Sequence, residues 1–370
     1  MKIMTNYLMR YIILISFVVA NAKSPINHLN VPTDFEISIF GQDLGKARFM
    51  AFSPGGVLFI SSIRRGIIYA LPDRNIDGVA DDRIVFAEGM DRPHGLAFFN
   101  EYLYVGEEGR VVRFQDDDGD FVADGPPEIV VPNLPTEGGG HFTRTIVFGS
   151  DSMMYVSIGS SCNVCEEKDT RRAAVVRYTP DGKEETIFAS GLRNSVGITF
   201  HPETGKLWGT DNGRDWLGDH LPLEEINIIQ KGKHYGWPYV YGKNEPDPKY
   251  GQLAPNNILL VPPVFELPAH LAPLGLSFYF GNQFPREYHG DLFVACHGSW
   301  NSSVKVGYKV IRIRIENGVP IGMDDFLTGF LTCKEKVLGR PVDIVVAPDG
   351  AMFVSDDYTG SIYRVVYSLE

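Results

Sequence analysis

The sequence predicts an all-β fold, a six-bladed β-propeller closed by a strand from its N-terminal end. Three observations lead there. Gly 39, Pro 24 and 12% aromatic residues in 370 describe many short strands joined by tight turns, not a helical bundle. One three-strand pattern recurs six times. The last copy stops after its third strand, while a spare strand stands at the other end of the chain. Two stacked β-sandwiches are the competing arrangement.

In chain order, residues 1–22 read as a signal peptide. Lys2 and Arg10 supply positive charge, and residues 11–22 are apolar but too short to span a bilayer. Ala20 and Ala22 occupy the small-residue positions before a cut at Lys23. The expected location is secreted or periplasmic, with one propeller domain over residues 23–370. No stable membrane span is expected elsewhere. The spare strand is FEISIF, Phe35 to Phe40, and pairing it with the last unit would leave no free sheet edge.

Each of the six units begins with an apolar alternating strand, turns, and returns through a strand ending in small or acidic residues. A third aromatic or branched strand follows. Equivalent positions fall at Met50, Leu96, Ile146, Ile198, Leu276 and Ile344. That spacing, roughly 45–80 residues, suits propeller blades carrying insertions. Turns such as Pro54-Gly55, Glu203-Thr204-Gly205 and Asp349-Gly350 separate first and second strands. An outer fourth strand follows most units, as in EIVVPNL after the second.

Loops longer than the repeat requires are the candidates for function. They lie in the third, fourth and fifth units, at residues 136–144, 191–195, 210–227, 232–242 and 296–309, joined by GRPVD at 339–343. They concentrate Gly, His, Arg, Asn and Trp. Segments leading into innermost propeller strands gather at the central channel, so residues as far apart as His141, Arg193, Asn194 and Arg340 can converge. The formal net charge of −12 speaks against nucleic acid and anionic membranes as partners.

The same loops carry a set of motifs: His141 before the GSD turn at 149–151, GLRN at 191–194, Asp211-Asn212-Gly213, EIN at 225–227 with YGWP at 235–238, HGSWN at 297–301, and GRPVD. In this order, on a six-unit repeat, the chain resembles the soluble sugar dehydrogenases that use pyrroloquinoline quinone (PQQ), a group that includes glucose, aldose sugar, pyranose and L-sorbosone dehydrogenases. The resemblance spans about residues 35–368. It implies an exported oxidoreductase that moves a hydride from an aldose or related sugar aldehyde to PQQ held against calcium. It also implies a separate electron acceptor such as a cytochrome or quinone, because Cys162-Asn163-Val164-Cys165 is followed by Glu166 and lacks the His of a haem site.

The resemblance assigns His141 as the base, with the glycine run 138–140 bringing its backbone near a ligand. Arg193 would meet the quinone oxygen, with Asn194 beside it. Arg340 would meet a cofactor carboxylate, with His297 and Lys305 also toward the cofactor. Calcium would sit on the main-chain oxygens of Gly213 and Arg214. Two departures stand out: Val342, where glucose-specific relatives carry a second arginine, and Ser302, where many carry Arg.

Two acidic loops, 73–82 and 116–124, have calcium-loop spacing without its closing Glu. A local disulfide is expected between Cys162 and Cys165. Alternatives from other classes are a non-enzymatic extracellular ligand-binding propeller and a metal-dependent lactonase propeller.

Overall fold

The computed structural model describes residues 25–138 and 140–368; the segment read as a signal peptide lies outside them. Six four-stranded antiparallel units radiate from a central channel. Each begins where the repeat places it: Ala47–Phe52, Leu96–Phe99, Arg144–Phe148, Ile198–Phe200, Pro273–Phe278 and Pro341–Val346 are the six inner strands. The architecture is therefore a six-bladed propeller, not a pair of sandwiches. In the sixth blade the outer strand is Phe35–Gly41, antiparallel to Ser361–Tyr367 with Phe35 opposite Tyr367. The third blade carries an extra parallel pairing, Ala189–Ser190 with Lys233–His234, which anchors the long insertion after the fourth blade's third strand.

The alternation of the sequence becomes wedges of core between neighbouring blades. Blades one and two enclose Phe59, Ile68, Leu96, Val105 and Phe114. Blades five and six enclose Phe293, Phe326, Ile344, Val354 and Tyr363. Burying such a side chain contributes about 1.5–3 kcal/mol, and the wedge shape makes each blade depend on both neighbours.

Around the channel, hydroxyls near the strand ends clamp the next blade. Ser61 Oγ donates to His94 O at 2.7 Å, Thr210 Oγ1 to Leu274 O at 2.9 Å and Ser355 Oγ to Arg48 O at 2.6 Å. Ser157 and Thr145 bond in the same way to Ser195 and Val196. The sixth blade also meets the first through Asp343, whose carboxyl accepts Met50 N–H at 2.9 Å. These small polar residues at strand ends are what the repeat showed in sequence. Present at four of the six blade junctions, they help bring the lead-in segments to one end of the channel with defined spacing.

Candidate functional site

A cavity of about 410 Å³ opens at that end. Seven of the eight residues read from the sequence border it: His141, Arg193, Asn194, His297 and Arg340 from four separate lead-in segments, and Gly213 with Arg214. Lys305 is not among them. Its Nζ donates to Glu335 O at 2.7 Å on the surface, because the Ser299–Val306 pairing turns that loop outward. Lys309 is likewise occupied, by Asp325.

His141 is held from behind by two buried arginines. Arg144 Nη1 and Arg172 Nη1 both donate to its carbonyl, at 3.0 and 3.2 Å, while their Nη2 atoms donate to Pro135 O and Glu137 O. The ring lies over Gly159, where a Cβ would stand 2.5 Å from the His141 Cβ and 2.6 Å from Asn194 Oδ1, so only glycine fits. The ring's Nδ1 faces two oxygens of Ser160, the carbonyl at 3.1 Å and Oγ at 3.0 Å. Ser160 Oγ already donates to Cys162 O at 2.7 Å, so it must accept from the ring. Nδ1 therefore carries the proton, and Nε2 keeps the lone pair. Burial and the nearby Arg193 charge hold the imidazole down to about 3, so it is neutral at ordinary pH.

Arg193 is 5% exposed and held by four bonds. Its Nε and one Nη2 bond reach the main-chain and side-chain oxygens of Asn163, both at 2.9 Å, Nη1 reaches Asn212 O at 3.1 Å, and Asp215 pairs at 3.2 Å. Asn163 lies inside the disulfide Cys162–Cys165, which the structure forms as expected. Asp211 fixes the same segment from beneath, accepting the backbone N–H groups of Arg193 and Asn194 at 2.9 and 2.7 Å. Burial pushes Asp211 up to about 7 and its neighbour Glu225 up to about 8.

The turn after Asp211 is anchored by Glu224, which accepts Gly213 N–H at 2.7 Å. Pro222 packs where a Gly213 Cβ would be, at 2.5 Å. The Arg214 side chain leaves the turn to pair with buried Asp247 at 2.7 Å. The carbonyl oxygens of Gly213 and Arg214 accept no hydrogen bond among the described residues.

On the opposite wall His297 Nε2 contacts Asp357 at 3.1 Å, and the other oxygen of Asp357 accepts from Arg48 at 3.1 Å. This pairing holds the Asp357 carboxyl well below the usual range, despite its burial. Arg48 keeps a buried Nε without a partner among the described residues. The Arg340 guanidinium meets the Tyr358 ring at 5.8 Å and no carboxylate among the described residues. Val342 is fully buried against Phe49, Val196 and Leu274, and this apolar cluster reaches the cavity through Val196 and Leu274. A charged side chain has no room there.

Sequence reading missed Arg48, Asn163, Asp215 and Asp357. Asp215 follows the Asp211-Asn212-Gly213 motif directly and was within reach of it. Arg48 and Asp357 sit in ordinary repeat positions, and only the ring closure brings them together. The acidic loops hold their own backbone: Asp73 accepts the N–H groups of Asp77 and Gly78, and Asp116 those of Gly119 and Phe121. Cys296 and Cys333 are free.

Residues 100–364 match the family described as Glucose / Sorbosone dehydrogenase. An uncharacterized protein of Borreliella burgdorferi is 34% identical over 371 residues, covering 96% of this chain and 95% of its own. An aldose sugar dehydrogenase of Escherichia coli is 27% identical over 262 residues, covering 64% of this chain and 62% of its own. A pyrroloquinoline quinone-dependent pyranose dehydrogenase of Coprinopsis cinerea is 25% identical over 417 residues, 93% of this chain and 55% of its own. The chain thus spans less than two thirds of these two relatives. Among solved structures, the holo PQQ domain of the Coprinopsis enzyme superposes with a TM-score of 0.77 at 21% identity, over 91% of this chain and 97% of that one. The PQQ-bound aldose sugar dehydrogenase of Streptomyces coelicolor gives 0.67 at 19%, over 91% and 99%. At those identities the structural likeness carries the fold.

Proposed function

The chain belongs to the Glucose / Sorbosone dehydrogenase family, and on that premise we propose that it is an exported oxidoreductase that oxidises an aldose or related sugar aldehyde with PQQ and calcium. The observation that carries the reading is the convergence of Arg48, Arg193 and Arg340 with a neutral His141 around one cavity. Relatives are named for PQQ-dependent sugar oxidation, and two solved neighbours hold PQQ.

The donor set fits both groups. PQQ bears three carboxylates, and the cavity offers a guanidinium without a carboxylate partner at Arg340 and an unpartnered buried nitrogen at Arg48. Arg193 and Asn194 would bind the quinone end, with His297 on the facing wall. Calcium would rest on the free carbonyl oxygens of Gly213 and Arg214, the hard neutral ligands that ion accepts. Bound PQQ supplies the hydride acceptor. The residues do the rest: His141 Nε2 takes the hydroxyl proton as the anomeric hydride leaves, and the Ser160 oxygens stabilise the Nδ1–H of the imidazolium formed. Arg193, immobilised by Asn163 and Asp215, keeps positive charge where negative charge develops. Electrons then pass to a separate acceptor such as a cytochrome or quinone.

The test is reconstitution. Purified protein given PQQ and calcium should reduce an artificial dye with aldoses, and exhaustive chelation should abolish this until both are restored. Dye reduction by chelated protein without PQQ would overturn the reading.

A further inference from the structure

At the mouth of the cavity stand two tryptophans that the chemistry above does not use. Trp300 borders the cavity and is 71% exposed; Trp216 is 67% exposed. Their rings meet edge to face, centroids 5.5 Å apart at 90°. The other two tryptophans, Trp208 and Trp237, are buried. Exposing one large ring to water forfeits its burial, and Trp216 bears a second cost. Its backbone is left-handed, φ 69°, which is an outlier for a bulky side chain and persists only where the surroundings enforce it.

The surroundings do enforce it. Asp219 accepts the Ser303 N–H at 2.9 Å and also the Ser303 hydroxyl, tying the Trp216 loop to the Trp300 loop. His270 Nε2 bonds Gly218 O at 2.8 Å. The Trp300 loop is pinned at its base, with Ser299 Oγ accepting Val306 N–H at 3.1 Å and Tyr308 donating to Ser299 O at 2.7 Å. Two loops from different blades are thus cross-linked so as to hold two rings in water beside the entrance.

We infer that this pair is a saccharide platform: it stacks the second sugar unit of an oligosaccharide whose reducing-end unit enters the cavity. The inference deepens the dehydrogenase reading and rests on it for the position of the reacting unit. The C–H face of a pyranose is apolar and weakly positive, and it suits the negative face of an indole. Its hydroxyls need neutral hydrogen-bonding groups alongside, and Ser302 and Asn301 follow Trp300 directly. Asn301 Nδ2 is buried and without a partner among the described residues, so a side-chain rotation would be needed to present it. Two rings are sized for a sugar, whereas a stable protein partner requires about 1,000 Å² or more of complementary surface.

The platform can be read without turnover, because only its two tryptophans face solvent. Titrating PQQ-free protein with maltotriose or cellotriose should quench the exposed tryptophan emission, with an affinity about tenfold above that for glucose. Trp216→Ala should remove that advantage without lowering the melting temperature; Trp216→Phe should restore part of it. In the reconstituted enzyme Trp216→Ala should raise KM for the trisaccharide about tenfold, with kcat and the glucose KM within twofold. Equal affinity for glucose and both trisaccharides, or a Trp216→Ala effect on KM for the electron acceptor instead, overturns the platform. Quenching by trisaccharide with no dye reduction by any sugar would leave the platform standing and remove the dehydrogenase reading instead.

Discussion

Replacing Asn163 with Ala tests whether the disulfide loop governs the cofactor side of the cavity. The side-chain oxygen accepts Arg193 Nη2 at 2.9 Å and Asp215 N–H at 2.8 Å, and the side-chain nitrogen donates to Asp215 O at 3.2 Å. The bond from the charged guanidinium is of the kind that contributes about 1.5–3 kcal/mol, and each neutral one about 0.5–1.5 kcal/mol. The loss is incomplete, since the main-chain oxygen of residue 163 still holds Arg193 Nε at 2.9 Å and Trp237 Nε1 at 3.3 Å. A net effect of about 2 kcal/mol on the placement of Arg193 corresponds to roughly thirtyfold weaker PQQ binding. Calorimetric titration of the calcium-loaded protein with PQQ measures it. The double variant Cys162→Ser, Cys165→Ser should move affinity in the same direction, because it frees the loop that presents the main-chain oxygen. If Asn163→Ala binds PQQ within twofold of the parent while Arg193→Ala loses it, the loop does not position Arg193 and the reasoning fails.

Two further outcomes follow from the same geometry. His141→Ala should fold and bind PQQ, yet lose roughly 10²–10⁴ in turnover, the usual contribution of a positioned base; near-normal turnover in a PQQ-saturated, folded variant removes His141 from the chemistry. Asp343, pushed up to about 7 by burial, holds a proton that the unfolded chain has already released, so its contribution to stability declines as pH rises toward that value. From about pH 5 to about pH 7 this loss is worth about 2 kcal/mol, and it levels off above that. Asp343→Asn, which keeps an acceptor for Met50 N–H, should flatten the fall in melting temperature over that range. An equally steep fall in the variant would exclude Asp343 as its source.

The sequence by itself determined the blade count and the place of each inner strand, because strand alternation and turn chemistry are local and repeat along the chain. Met50, Leu96, Ile146, Ile198, Leu276 and Ile344 all lie in the inner strands. It also marked the loops of the site, since their length and their Gly, His and Arg content break the repeat. His141, Arg193, Asn194, His297 and Arg340 could be named for that reason, and the structure brings them to one cavity. Lys305 shows the limit. Its charge suited the site, but which side of a pinned loop a residue faces depends on the pairing at the loop's base. Tertiary structure alone decided the partners. Arg48 and Asp357 stand 309 residues apart and meet across the junction of the first and last blades. Val342 is apolar in sequence for a reason visible only in the packing with Phe49, Val196 and Leu274. The tautomer of His141 rests on a Ser160 hydroxyl already committed to Cys162. Trp216 reads as an ordinary apolar residue until its left-handed backbone and its exposure appear together. Each of these is a contact between distant segments, whose energetics depend on burial and direction, and a linear pattern records neither.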